Sequence, residues 1–160
     1  MKDYLQLGID KGLISFNADK SRIRYNWQNK ERNYNNPEEK VQVLAFLQLI
    51  LDYNYPESRI RQFEPVTMGI EIKEANIVVF DDDLCIKPLI LVECKKQEVS
   101  EAEFQQAINQ AYSYAFALPC EVKYVWVTSG QSCQTFFGNQ TSSLALFLGS
   151  YFDNNEYMLS

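Results

Sequence analysis

The 160-residue chain contains no histidine. That absence excludes Ser-His-Asp and Cys-His catalysis, imidazole general bases and every metal site built on imidazole. Catalysis is left to carboxylates, lysine, tyrosine, cysteine, or a hard metal held through oxygen. Long hydrophobic runs are also missing. No stretch approaches the roughly 18–20 residues of a membrane span, and Met1-Lys2-Asp3-Tyr4 does not open a signal peptide. The four cysteines, Cys85, Cys94, Cys120 and Cys133, lack CxxC or zinc-knuckle spacing. Cys94 and Cys120 have apolar neighbours in sequence and are expected in the core. A reduced, cytoplasmic compartment is the corresponding expectation. Neither an internal repeat nor a low-complexity linker divides the chain, so one domain over 1–160 is expected.

What is present suffices for a packed fold: 46% of residues are hydrophobic and 14% aromatic. The net charge of −6 argues against a protein that coats nucleic acid non-specifically. The charge is uneven, however. Residues 1–40 hold eight basic and six acidic side chains, and Arg22, Arg24, Lys30 and Arg32 lie close together there. They read as a solvated surface, with a phosphate-contacting patch as the alternative.

The spacing predicts a short helix from Tyr4 towards Gly12, short strands at Ile14–Phe16 and Arg22–Tyr25, and a polar loop over 26–36. Asn36-Pro37-Glu38-Glu39 is a helix start: a capping amide, a proline suited to the first turn, and acids at the positive end of the dipole. Val43, Leu44, Leu47, Ile50 and Leu51 then form one apolar stripe, ending before Tyr55-Pro56. Strand-like stretches follow at 58–67, 69–73 and 76–80, then an acidic turn at Asp81-Asp82-Asp83 and a buried strand over 88–95. Ser100 with Glu103 opens a long helix to about Ala117. A third buried strand covers 122–128. The tail is expected to hold a short strand and a helix. A helix joining two strands of one sheet implies a right-handed parallel crossover and hence an α/β arrangement.

Chemistry concentrates at Val92-Glu93-Cys94-Lys95-Lys96. An apolar strand ending in Glu-x-Lys places two charges on one face while Cys94 turns to the other. Alone, the tripeptide reads as a solvated strand edge. It does not stand alone. Asn36-Pro37-Glu38-Glu39-Lys40-Val41, Asp52-Tyr53-Asn54-Tyr55-Pro56, Ala75-Asn76-Ile77-Val78-Val79-Phe80, Leu91-Val92-Glu93-Cys94-Lys95-Lys96, Gln110-Ala111-Tyr112-Ser113-Tyr114-Ala115 and Val127-Thr128-Ser129-Gly130 occur in that order. Together they resemble the PD-(D/E)XK nuclease superfamily, and more narrowly the N-terminal nuclease domain of type I restriction enzyme R subunits.

The resemblance implies a restriction-endonuclease-like α/β core, a central mixed sheet flanked by helices in the order αβββαβ. That core would occupy about residues 36–130, with an N-terminal extension 1–35 and a C-terminal tail 131–160. It also implies an endonuclease that hydrolyses DNA with Mg²⁺ or Mn²⁺. Glu93 would be a metal ligand, Lys95 the catalytic lysine, and Glu39 (or Glu38) would complete or support the metal site. Gln110, Tyr114 and Lys96 would line the cleft or contact DNA. DNA, other restriction-modification subunits and a second copy of the chain are the implied partners. Where the family carries its metal-binding Asp, this chain has Asn76, an uncharged oxygen donor. Glu71, Glu74 or Asp81–Asp83 are alternative carboxylates, although each reads more simply as a solvated side chain. Asn76 is compatible with a degenerate site, a deliberate inactivation or weakened metal binding. The chain also lacks a GxxxxGK[ST] phosphate loop and room for a motor, so it is expected to be a free-standing relative or an excised domain.

Overall fold

The computed structural model describes residues 1–130, 132–137 and 147–148. The chain opens with α1 (Tyr4–Asp10), β1 (Ile14–Phe16), β2 (Arg22–Tyr25) and β3 (Lys30–Asn33), the three strands forming an antiparallel sheet in that order. Then come α2 (Pro37–Leu51), a single 3₁₀ turn at Glu57–Arg59, β4 (Ile60–Met68), β5 (Glu71–Phe80), β6 (Pro88–Cys94), α3 (Glu101–Ala117), β7 (Tyr124–Thr128), β8 (Cys133–Phe137) and β9 (Phe147–Leu148). Strands β4 to β9 form one mixed sheet in sequence order. Its neighbours are antiparallel except β6 and β7, which run parallel because α3 carries the chain across. The segment α2-β4-β5-β6-α3-β7 is the αβββαβ restriction-endonuclease-like core. The helix expected in the tail lies outside the described residues.

Both long helices begin where their caps dictate. The Asn36 side chain accepts the Glu38 N–H, with Pro37 in the first turn. Ser100 and Glu103 exchange both bonds of a capping box. One face of the large sheet, through Ile77, Val79, Ile90, Val92 and Cys94, shares a core with α2. The other, through Val78, Leu91, Val125 and Val127, packs with α3.

Three expectations need correction. First, α2 has no single apolar stripe: Val41, Val43, Ala45, Phe46, Leu47 and Leu49 are buried around the helix, while Leu44 is 37% exposed. The N-terminal elements cover the side of α2 away from the sheet, so two faces need apolar residues. Second, Lys30–Asn33 is a strand rather than loop, paired with β2 from Arg22↔Asn33 to Tyr25↔Lys30. Its sequence, Lys-Glu-Arg-Asn, carries no apolar alternation because it closes a small sheet. The stretches at 69–73 and 76–80 likewise join in one strand, β5. Third, Cys120 is exposed, in the turn after Leu118-Pro119 beyond the end of α3, whereas Cys94 is fully buried.

Gly8 marks the contact of α1 with α2. A Cβ there would lie 2.7 Å from Leu47 Cδ2 and 3.2 Å from Ile14 Cγ1. Leu47 and Ile14 are themselves buried and cannot swing away. Gly8→Ala is therefore expected to lower stability by about 1–3 kcal/mol despite alanine's better helix propensity. Urea unfolding midpoints check this, and an unchanged or raised midpoint would show that the helices slide apart freely.

Candidate active site

The C-terminal end of β6 delivers Glu93 and Lys95. Glu93 is only 2% exposed. Its Oε1 accepts from Lys95 Nζ at 3.0 Å, while Oε2 is buried with no hydrogen-bond partner. Burial pushes the Glu93 carboxyl up to about 7, with Lys95 pulling against that rise. Burial also works against the Lys95 ammonium, but Glu93 and Glu38 outweigh it and the net shift is upward. Glu38, in the first turn of α2, approaches Lys95 with Oε2 3.9 Å from Nζ. Thus Lys95 stays charged while Glu93 titrates near neutrality.

Asn76 stands on β5 beside this strand end, and its side chain is engaged on both sides. Oδ1 accepts the Cys94 N–H at 2.8 Å, and Nδ2 donates to Gln42 Oε1 at 3.0 Å. Gln42, on α2, returns Nε2 to the Asn76 carbonyl at 3.1 Å and to Gln62 Oε1 at 3.1 Å. Gln42 and Gln62 are both buried. The backbone explains why the carbonyl of Asn76 is free to accept. Pairing of β4 with β5 runs through Gln62↔Ile77 and resumes at Glu64↔Ala75. Phe63, between them, adopts left-handed backbone at φ 55°, a local break of the kind that concentrates near functional sites. Lys30 Nζ donates to the Gln62 carbonyl at 3.1 Å and Gln28 accepts the Gln62 N–H at 2.7 Å, so the N-terminal sheet braces the break. Sequence reasoning did not single out Gln42 or Gln62. The available signal was an amide between Val41 and Val43 on α2.

Glu39 points elsewhere. It accepts the Tyr25 hydroxyl, and burial raises its carboxyl, with the Tyr25 bond and Arg32 acting against that. Glu38, not Glu39, is therefore the α2 carboxylate near Lys95. Tyr25→Phe would leave the buried Glu39 oxygen without its donor, and a loss of about 1–3 kcal/mol is expected. Chemical denaturation of the two proteins measures it; equal stability would mean Glu39 finds another donor.

On α3, Gln110 Nε2 donates to Tyr114 Oη at 2.7 Å. Tyr114 is buried and within electrostatic reach of Lys95, which brings this pair to the Glu93 side of the sheet. Lys96 is exposed and lines a separate groove of about 770 Å³ with Lys40, Gln48, Trp126 and Thr128. Glu71 and Glu74 face solvent, and Glu71 pairs with Lys73. Asp82 accepts the amides of Ile86 and Lys87 in its turn. The N-terminal cations are largely engaged by partners within the chain, although Arg22 and Arg24 remain exposed. Arg22 pairs with Glu31, Arg24 donates to Asn29, and Arg32 lies 3.7 Å from the Phe63 ring centre.

The donors can be compared with what a divalent metal needs. Glu93 Oε2 is an orphaned carboxylate oxygen, which a hard cation would satisfy. Asn76 adds at most one neutral lone pair, since Cys94 holds the other. Among the described residues no group of three or more Cys, Asp or Glu is gathered closely enough to hold a metal ion. The set thus fits a cation at one carboxylate and lacks the second charged ligand.

A mixed sheet with a Glu-x-Lys strand end between two helices defines a restriction-endonuclease-like domain. Residues 37–147 match the model of the family described as the type I restriction enzyme R protein N terminus. The chain belongs to that family. No curated protein and no solved structure matches it. Among the described residues no helix is long and apolar enough to cross a membrane.

Proposed function

We propose that this is a PD-(D/E)XK-type endonuclease domain whose DNA phosphodiester hydrolysis is weakened by Asn76. The observation that carries this reading is the orphaned Glu93 Oε2 beside a charged Lys95. Glu93 would hold Mg²⁺ or Mn²⁺ with Asn76 Oδ1 as a neutral donor, and Glu38 would support the site through its approach to Lys95. Such a cation would supply Lewis-acid polarisation of the phosphate and a nucleophile near neutral pH. Lys95 would orient the attacking water and stabilise charge developing on the phosphate. Tyr114, held by Gln110, would line the same side of the cleft. DNA is the proposed substrate, with other restriction-modification subunits or a second copy of the chain as proposed partners.

A second reading keeps the fold without the chemistry: a DNA-binding or assembly module. It is favoured by the engagement of both polar atoms of Asn76. Plasmid nicking in Mg²⁺ and Mn²⁺ separates the two, comparing the chain with Asn76→Asp and Asn76→Asp/Lys95→Ala. Metal-dependent cutting that rises with Asp and vanishes with Ala is the result expected. If no variant cuts while DNA binding persists and weakens with salt, the second reading replaces the first.

A further inference from the structure

The buried amides beside position 76 have an unusual balance. Gln42 turns its oxygen to Asn76 Nδ2 and its nitrogen to both Gln62 Oε1 and the main-chain carbonyl of Asn76. Gln62 Nε2, at the far end, is buried with no hydrogen-bond partner. The order of donors and acceptors is therefore set by the amide at 76, and it leaves a donor unused.

An amide can exchange its two ends by rotating half a turn, with almost no change in shape. If position 76 carried a carboxylate, rotation of Gln42 would aim Nε2 at it and Oε1 at Gln62. Rotation of Gln62 would then bring its idle Nε2 onto Gln42 Oε1. The reversal would exchange the orphaned Gln62 N–H for two unpaired oxygens, Gln62 Oε1 and the main-chain carbonyl of Asn76 that Gln42 Nε2 leaves, each cheaper to leave unpaired than an N–H. The Cys94 N–H donates equally well to either side chain.

We propose that Gln42 is a reversible positioning residue, with Gln62 as its relay, that holds either an amide or a carboxylate at position 76 in the same place. The idea deepens the nuclease reading and rests on it for the meaning of position 76. Its physical content is independent of cutting. Gln42 serves both side chains because it carries a donor and an acceptor, and a residue carrying only acceptors could serve only Asn76.

The experiment is a double-variant cycle read by thermal unfolding in EDTA, on the full chain. Asn76→Asp is expected to shift Tm by no more than about 3 °C. Gln42→Glu retains an acceptor for Asn76 Nδ2 and can receive the idle Gln62 Nε2, so its loss is moderate. Combined, the two set a carboxylate against a carboxylate, and at about pH 9, where the pair shares a proton least readily, Tm should fall by roughly 5 °C or more beyond the sum of the singles. If the double variant does not fold, Asn76→Asp/Gln42→Leu takes its place, since leucine offers no donor. It should lose more than its two singles combined.

An additive cycle, or an Asn76→Asp loss as large in the parent as in the Gln42→Glu background, would overturn the proposal. Mn²⁺ titration of Asn76→Asp, with and without Gln42→Leu, gives a second readout. At least a tenfold weakening on losing Gln42 is expected, in line with the roughly 10–100-fold effect of removing groups that orient metal ligands. Equal affinities with and without Gln42 would also overturn it. A coupled Tm cycle with no Mn²⁺ binding by any variant would uphold the amide reversal and count against the nuclease reading.

Discussion

Asn76→Asp is expected to raise Mg²⁺-dependent plasmid nicking by about a hundredfold or more. The parent offers a divalent ion one buried carboxylate, Glu93, whose charge is partly answered by Lys95 at 3.0 Å. A hard cation sheds hydration water reluctantly, and the charge of its ligands is what compensates. Aspartate adds a full negative charge where only a neutral carbonyl oxygen now stands. The same substitution with Lys95→Ala should return cutting to background, since metal binding alone does not place the water or neutralise the developing charge. A hundredfold gain that survived Lys95→Ala would assign the chemistry to other residues. Gel-resolved rates of supercoiled plasmid loss, at fixed salt and across a Mg²⁺ series, separate a change in metal affinity from a change in rate.

The second large effect is on stability. Glu93 moves from an ordinary carboxyl value of 4.5 to about 7 on folding, mainly through burial. The folded protein therefore binds more protons than the unfolded chain between these values, and its stability falls as pH rises through that window. The contribution is fully present below about pH 4.5 and lost above about pH 7, and amounts to about 3 kcal/mol. Glu39, also raised by burial, adds to the fall in the same direction. Glu93→Gln should remove most of the decline between pH 5 and pH 8 in urea unfolding with EDTA present. A variant that declined as steeply as the parent would show that Glu93 ionises freely in the folded state. Mg²⁺ added at pH 8 should raise the stability of the parent and leave Glu93→Gln unchanged.

The elements most legible in the sequence were those whose signals are local. Asn36-Pro37 and the Ser100–Glu103 box set the starts of α2 and α3 through bonds within four residues. The apolar run before Glu93 and the segment 122–128 set two central strands. What escaped depends on partners distant in sequence. β3 is polar because it closes a small sheet, and β5 extends past the core as a two-stranded ribbon whose first four residues are exposed. The breadth of the buried surface on α2 follows from the layer that residues 1–35 lay over it, which α2's own periodicity does not encode. In the site, Glu93 and Lys95 were legible from one tripeptide and its neighbours. The division of labour between Glu38 and Glu39 was not, since one faces Lys95 and the other Tyr25 one residue apart. Gln42 was missed because an amide is informative only once its partners are known.

The matched segment begins at residue 37, yet Leu13, Ile14, Ile23 and Tyr25 belong to the same apolar cluster as Val43, Leu47 and Leu49. A fragment cut at residue 36 would therefore bring into water a face of α2 that the whole protein never exposes. Anyone trimming this protein for expression or crystallisation to its family-defined portion would produce a sticky, self-associating fragment. The apolar cluster that α2 shares reaches back to Leu13, well before the boundary recognised by sequence likeness.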